Sequence, residues 1–360
     1  MALAKITTKK PGKTAAYPPN SMKLYNLGLF GRLAVLTGLL AVSLFVLVGG
    51  LLYWADRPVT VARLPVEFQI PPGAPLSAVI TRLQDAGVNL PEQPFKLLAR
   101  YRGVSAKIKP GIYSVSSAMT PGGLLDMLVR GAVVQVEVVI PEGWTFRQVR
   151  SRLESRTDLR HEISGLSDSE LLHRIGATEA HPEGLFFPDT YRVDKGSSDL
   201  ALLRAAHKAM QDQLAQAWAS RDPASPLSSP YQALILASIV EKETGRPEDR
   251  PLVASVFINR LRKGMLLQTD PTVIYGMGAT FDGNIRRRDL RTDTPYNTYT
   301  RSGLPPTPIA MPGRASLDAS VGPTRSEALY FVSRGDGTSE FSSTLVAHNR
   351  AVNRYQRGGK

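Results

Sequence analysis

The chain has 360 residues, 42% of them hydrophobic, and 44 Lys and Arg against 31 Asp and Glu give a formal charge of +13. That length allows about two domains, and the apolar share excludes a wholly disordered chain. There is no cysteine, which excludes disulfides, thiolate zinc sites, iron–sulfur clusters and a cysteine nucleophile.

Residues 1–32 carry Lys5, Lys9, Lys10, Lys13, Lys23 and Arg32 and no acid, and read as a basic tail. Leu33 to Trp54 follows as an uncharged run of 22 residues. As a helix it is about 33 Å long, enough to cross a hydrocarbon core of ~30 Å. A cleavable signal peptide would have an apolar stretch of only about 7–15 residues and a small-residue cleavage site. Here the run is longer and ends on Tyr53 and Trp54, so it reads as an uncleaved single-pass anchor with an interfacial aromatic belt. The basic tail places the N-terminus in the cytoplasm and residues 55–360 on the outer (periplasmic or extracytoplasmic) side of the cytoplasmic membrane.

Without the tail, 38 basic residues face 31 acidic ones. No RRM-like aromatic motif or zinc-finger spacing accompanies this surplus, so nucleic acid is not an expected partner. An anionic lipid or wall polymer suits the charge at least as well.

Residues 55–65 read as a linker. From 66 to 140 the pattern is a small α+β module. VEFQI (66–70) alternates as a strand, Leu76, Val79, Ile80 and Leu83 have helical spacing, and a short helix covers Phe95–Tyr101. GIYSV (111–115) is a strand, Thr120-Pro121 opens a helix as N-cap and N1, and Val133–Ile140 is strand-like. A second region, 141–360, begins at PEGWT and reads as mixed α/β.

The segment YQALILASIVEKET (231–244) predicts a helix stopped by Gly245 and Pro247. At about 100° per residue, Ile235, Leu236, Ile239 and Val240 share a face that includes Glu243, while Glu241 falls nearly opposite. A carboxyl in an apolar setting keeps its proton to higher pH, as a general acid must. The pattern equally allows Glu243 to pair with Arg246 or Arg250 at a solvated helix end. VASVFINRL (253–261) predicts another helix. LQTDPTVIYG (267–276) and DTPYNTY (293–299) read as loops rich in Tyr, Asn, Gln, Asp and Thr. Such loops suit a sugar cleft, with aromatic faces for C–H surfaces and polar groups for hydroxyls, or ordinary turn chemistry. The five histidines form no HExxH, and GxSxG, Walker A and GxGxxG are absent. No metal or cofactor is expected.

Taken together, ASIVEKET, VASVFINRL, LQTDPTVIYG, YNTY (296–299), GLPP (303–306) and AHN (347–349) closely resemble the endolytic murein transglycosylase, or YceG-like, family. EGLFFPDTY (183–191) and IPEGWT match as well, and the resemblance spans 33–355. It implies an α+β protein with one transmembrane helix, a LysM-like module over 66–140 and a mixed α/β catalytic domain over 141–360. It further implies cleavage of nascent peptidoglycan at MurNAc–GlcNAc bonds inside the strand, leaving 1,6-anhydro-MurNAc ends. Glu243 aligns with the family's catalytic glutamate, and Glu241 remains the second candidate. Glu241, Gln268, Asp270, Tyr275, Tyr296, Asn297 and Tyr299 are the expected substrate-binding residues. The resemblance also implies association with peptidoglycan synthases. A non-catalytic peptidoglycan-binding scaffold is the competing expectation.

Overall fold

The computed structural model of the protein describes residue 12 and residues 28–358. The five lysines of the basic tail lie outside the described residues. The first element among the described residues is α1 (Leu29–Ala55), the one helix there long and apolar enough to cross a membrane. From Phe30 to Leu47 its leucines and phenylalanines are exposed, and in the last two turns Leu51 and Ala55 become buried.

Those two residues belong to the first of two hydrophobic cores. Its elements are β1 (Val66–Ile70), α2 (Leu76–Asp85), α3 (Glu92–Tyr101), β2 (Gly111–Val115) and α4 (Pro121–Arg130). β1 and β2 pair antiparallel with Phe68 opposite Tyr113, and the two rings stack at 5.7 Å. Thr120 caps α4 as its sequence predicts, the hydroxyl accepting from Gly123 N–H at 3.0 Å, with Pro121 in the first turn.

The segment 55–65, expected as a linker, is docked instead. Val59 is buried and its N–H donates to Met119 C=O at 2.8 Å. Asn89 N–H donates to Thr60 C=O at 2.9 Å. Composition suggested a spacer because its pairing partners lie tens of residues downstream. The end of α1 is therefore joined to the module by packing and not by a free tether.

β3 (Gln135–Val139) pairs antiparallel with β4 (Thr190–Asp194), Val138 opposite Tyr191. Val138 and Ile140 pack in the second core, while Val133, at the start of the strand-like stretch 133–140, packs against the first. Around this core lie α5 (Phe146–Glu154), α6 (Asp168–Ile175), α7 (Asp199–Ala219), α8 (Pro230–Glu243), α9 (Arg250–Arg262) and α10 (Asp270–Met277). After them come α11 (Arg287–Arg291), α12 (Arg314–Val321), the hairpin β5 (Tyr330–Ser333)–β6 (Ser339–Ser342) and α13 (Leu345–Tyr355). The whole is a mixed α+β protein.

Two local expectations change. Residues 270–277, read as part of a loop rich in Tyr, Gln, Asp and Thr, form α10 with Pro271 in its first turn, where the missing N–H costs nothing. α8 has no solvated face along most of its length. Ala233 through Val240 are all buried, enclosed by α7, α9, α10 and α12. The side on which Glu241 lies is thus as dry as the side carrying Glu243.

Candidate active site

α8 delivers its glutamates where it emerges from the core. Ser229 caps the helix, its hydroxyl accepting from Gln232 N–H, and Pro230 occupies the first turn. At the other end Thr244 leaves helical geometry at φ −145°. Glu241 and Glu243 therefore sit on the last turn, held by a helix whose body cannot shift without repacking the core.

Their surroundings differ. Glu241 keeps only 6% of its side chain exposed. Its Oε2 accepts from Gly313 N–H at 3.0 Å and from Ser316 O–H at 2.7 Å, at the start of α12. Its Oε1 accepts from Arg250 Nη2 at 3.4 Å. A carboxylate at a helix N-terminus, paired with a buried guanidinium, is satisfied by the protein itself. The nearby Glu142 carboxyl is pushed up, by burial first and then by the charge of Glu241.

Glu243 makes none of these contacts. Arg250 pairs with Glu241, and Arg246 pairs with Glu248. The Glu243 carboxyl accepts from Thr269 O–H. Glu243 is partly open to solvent, yet enough protein surrounds its carboxyl that burial dominates and raises the pKa. The Thr269 hydroxyl opposes that rise, Asp270 adds to it, and Arg260 opposes it. This is the environment of a carboxyl that can hold a proton and then release it.

The loop facing Glu243 is fixed by Arg260. Its Nη1 donates to Leu267 C=O at 2.8 Å and Leu266 C=O at 3.2 Å, and its Nε to Leu329 C=O at 2.7 Å. Gln268, exposed and next in line, has φ +51°, a left-handed conformation that a non-glycine residue adopts only where surrounding structure enforces it. Its N–H donates to Thr298 C=O at 3.1 Å. Tyr299 O–H donates to Asp270 Oδ1 at 2.5 Å, bringing two expected cleft residues together beside Glu243.

Tyr275 and Tyr296 lie on a different wall. Their rings meet edge to face at 4.9 Å, and both line a cavity of about 900 Å³. Neither Glu243 nor Asp270 lines it; their chain neighbours Lys242 and Pro271 do. Gly276 makes the Tyr pairing possible, since a Cβ there would stand 2.9 Å from Tyr296 Cβ. Tyr275 O–H donates to Glu183 Oε2 at 3.0 Å, and Phe146 N–H donates to Glu183 Oε1 at 2.9 Å. Glu183 is 2% exposed, and burial pushes its pKa to about 7.

Asn297 is 1% exposed. Its Nδ2 donates to Asp289, Leu290 and Thr292 carbonyls, at 2.7 Å for the last, and its Oδ1 accepts from Tyr299 N–H. Those polar atoms are committed to folding the loop that presents Tyr296 and Tyr299. Sequence reasoning passed over Thr269, Arg260 and the role of Glu183. Each lay inside a quoted motif, but only its spatial partner marks it.

A family model described as YceG-like matches residues 68–354. An endolytic murein transglycosylase of Bacillus subtilis is 30% identical over 311 residues, covering 82% of this chain and 86% of that protein. One from Streptococcus pneumoniae is 27% identical over 320 residues, covering 80% of this chain but 58% of its own length. A crystal structure of a YceG-like protein from Listeria monocytogenes shares 30% identity and covers 79% of this chain and 98% of its own, with a TM-score of 0.48. With the family model matching most of the chain, this protein belongs to the YceG-like family.

Proposed function

We propose that the protein is a membrane-anchored endolytic lytic transglycosylase that cuts peptidoglycan glycan strands at MurNAc–GlcNAc bonds. The names of its B. subtilis and S. pneumoniae relatives support the activity. The observation that carries it is the Glu243 carboxyl, raised in pKa by burial and accepting from Thr269 at the end of a buried helix. Protonated Glu243 donates to the glycosidic oxygen as positive charge develops at C1 of MurNAc. The resulting carboxylate takes the proton from the C6 hydroxyl as that oxygen closes onto C1, giving the 1,6-anhydro end. One carboxyl serves twice, unlike the two-carboxylate arrangement of ordinary glycosidases. Asp270, held by Tyr299, lies close enough to Glu243 to raise its pKa, which supports a role for it in stabilising the cationic centre. The exposure of Gln268 supports a role for it in meeting sugar hydroxyls.

In this reading residues 1–32 are a cytoplasmic tail, 33–54 the membrane span, 66–140 a LysM-like wall-binding module and 141–360 the catalytic part. The order β1-α2-α3-β2 with antiparallel strands supports the module. Packing of Leu51 and Ala55 into its core supports a catalytic part kept close to the membrane, where new strands emerge.

The test is digestion of uncrosslinked peptidoglycan by the full chain in detergent, beside Glu243→Gln. Wild type is expected to release internal 1,6-anhydro-MurNAc products, and the variant to lose about 10²–10⁴ in rate. Equal rates would remove Glu243 from the acid role, and reducing MurNAc ends would refute the intramolecular step. A non-catalytic scaffold would bind strands and cut none. A reporter fused after residue 60 is expected to be active outside the cytoplasm, and activity only inside would overturn the topology.

A further inference from the structure

The 900 Å³ cavity beside α8 is near the upper end of small-ligand sites, about 300–1,000 Å³. Phe146, Ile274, Tyr275, Phe281 and Tyr296 give it an apolar wall. Its acids are already satisfied. Asp168 accepts from Arg150 at 3.1 Å, and Glu183 accepts from Tyr275 O–H and Phe146 N–H. Arg150 in turn also holds Glu154 and the carbonyls of Ile163 and Leu166.

Two lining cations are left over. Arg147 is exposed and has no carboxylate partner among the described residues. Lys242 Nζ donates only to Gly143 C=O, at 3.2 Å, and likewise has no acidic partner there. Lys242 adjoins Glu243 in the chain, so the unpaired charge lies one residue from the proposed acid.

A murein glycan backbone offers nothing for these cations, because its sugars are neutral and the lactyl carboxyl of MurNAc is tied up as an amide. The carboxylates are on the peptide that branches from that lactyl group. We propose that this cavity binds the acidic stem peptide of the strand being cut, with Arg147 and Lys242 meeting its carboxylates. The proposal rests on the peptidoglycan reading of Glu243. It makes the enzyme a reader of peptide-bearing strands: the glycan passes Glu243 while the branch turns past Lys242 into the cavity.

The test compares wild type with the Arg147→Gln/Lys242→Gln double variant on three substrates. These are strands with intact stem peptides, strands with the peptide carboxylates amidated, and strands stripped by an amidase whose freed lactyl carboxyls are then capped as simple amides. Two partly exposed ion pairs correspond to roughly tenfold. The ratio of kcat/KM on intact over amidated strands is expected to fall about tenfold in the double variant, through KM. The ratio on intact over stripped strands should fall with it. An unchanged ratio, or equal loss on all three, overturns the proposal. Calorimetric titration of free stem peptide into Glu243→Gln protein, with and without the two further substitutions, needs no turnover. Binding by Glu243→Gln that the two further substitutions weaken about tenfold supports the site, and unchanged binding, or absence of binding by either protein, refutes it. Should wild type cut no substrate at all, the reading of Glu243 fails and the titration still decides the cavity.

Discussion

Replacing Glu241 separates its role from that of Glu243, two residues away. In Glu241→Ala, Gly313 N–H and Ser316 O–H at the start of α12 lose their acceptor. Arg250, 11% exposed in its side chain, is left with Glu142 at 3.9 Å. Breaking a buried ion pair by removing one partner costs about 3–5 kcal/mol. Glu142 softens this, because loss of the Glu241 charge removes one cause of its raised pKa and favours its ionised form. A loss of about 3 kcal/mol is expected. Glu241→Gln keeps an acceptor and loses the charge, so its cost is about 1–1.5 kcal/mol, the difference between charged and neutral hydrogen bonds. Glu243→Gln should stay within about 1 kcal/mol of wild type, since ionising Glu243 in the fold is itself unfavourable. Urea unfolding of the full chain in detergent measures all three, with Trp144 and Trp218 packed against the second core as fluorescence reporters. Activity is read alongside. A stable but inactive Glu241→Ala, within about 0.5 kcal/mol of wild type, would refute the structural assignment and make Glu241 the acid.

Thr269→Val removes the hydroxyl that lowers the Glu243 pKa. Glu243 then holds its proton to higher pH, so the high-pH limb of the rate profile should move upward; a downward move contradicts the assignment. Glu183 has a folded pKa near 7 against an ordinary 4.5. The native state therefore binds the extra proton, and stability should fall as pH rises from about 4.5 through 7. At about 1.36 kcal/mol per pH unit this amounts to roughly 3 kcal/mol. Glu183→Gln should flatten that dependence, and an unchanged slope in urea unfolding would show that another group causes it. Asn297→Ala leaves the Tyr299 N–H and three loop carbonyls unpaired, so a stability loss of about 2–3 kcal/mol is expected. A rise in KM with unchanged stability would instead make Asn297 a sugar contact.

Local elements were legible because local rules govern them. Thr120-Pro121 announced the start of α4, and the uncharged run before Trp54 announced α1. The alternation in VEFQI and GIYSV announced two strands. α10 was hidden because Pro271 and its polar neighbours resemble a loop until Pro is recognised as first-turn. Pairings were not legible. The docked segment 55–65 depends on Met119 and Gly87, and β3 on a strand more than fifty residues away.

The sequence by itself determined that a basic arm precedes a membrane-length run, and that two glutamates end a strongly apolar helix at 231–244. It could not assign their environments, because the helical wheel takes one face of a helix to be wet and α8 is enclosed on all sides. Tertiary structure decided that α12 satisfies Glu241 from 72 and 75 residues downstream, and that Thr269 meets Glu243 from 26. A carboxyl's acidity is set by what surrounds it in space, and chain folding alone brings those groups together.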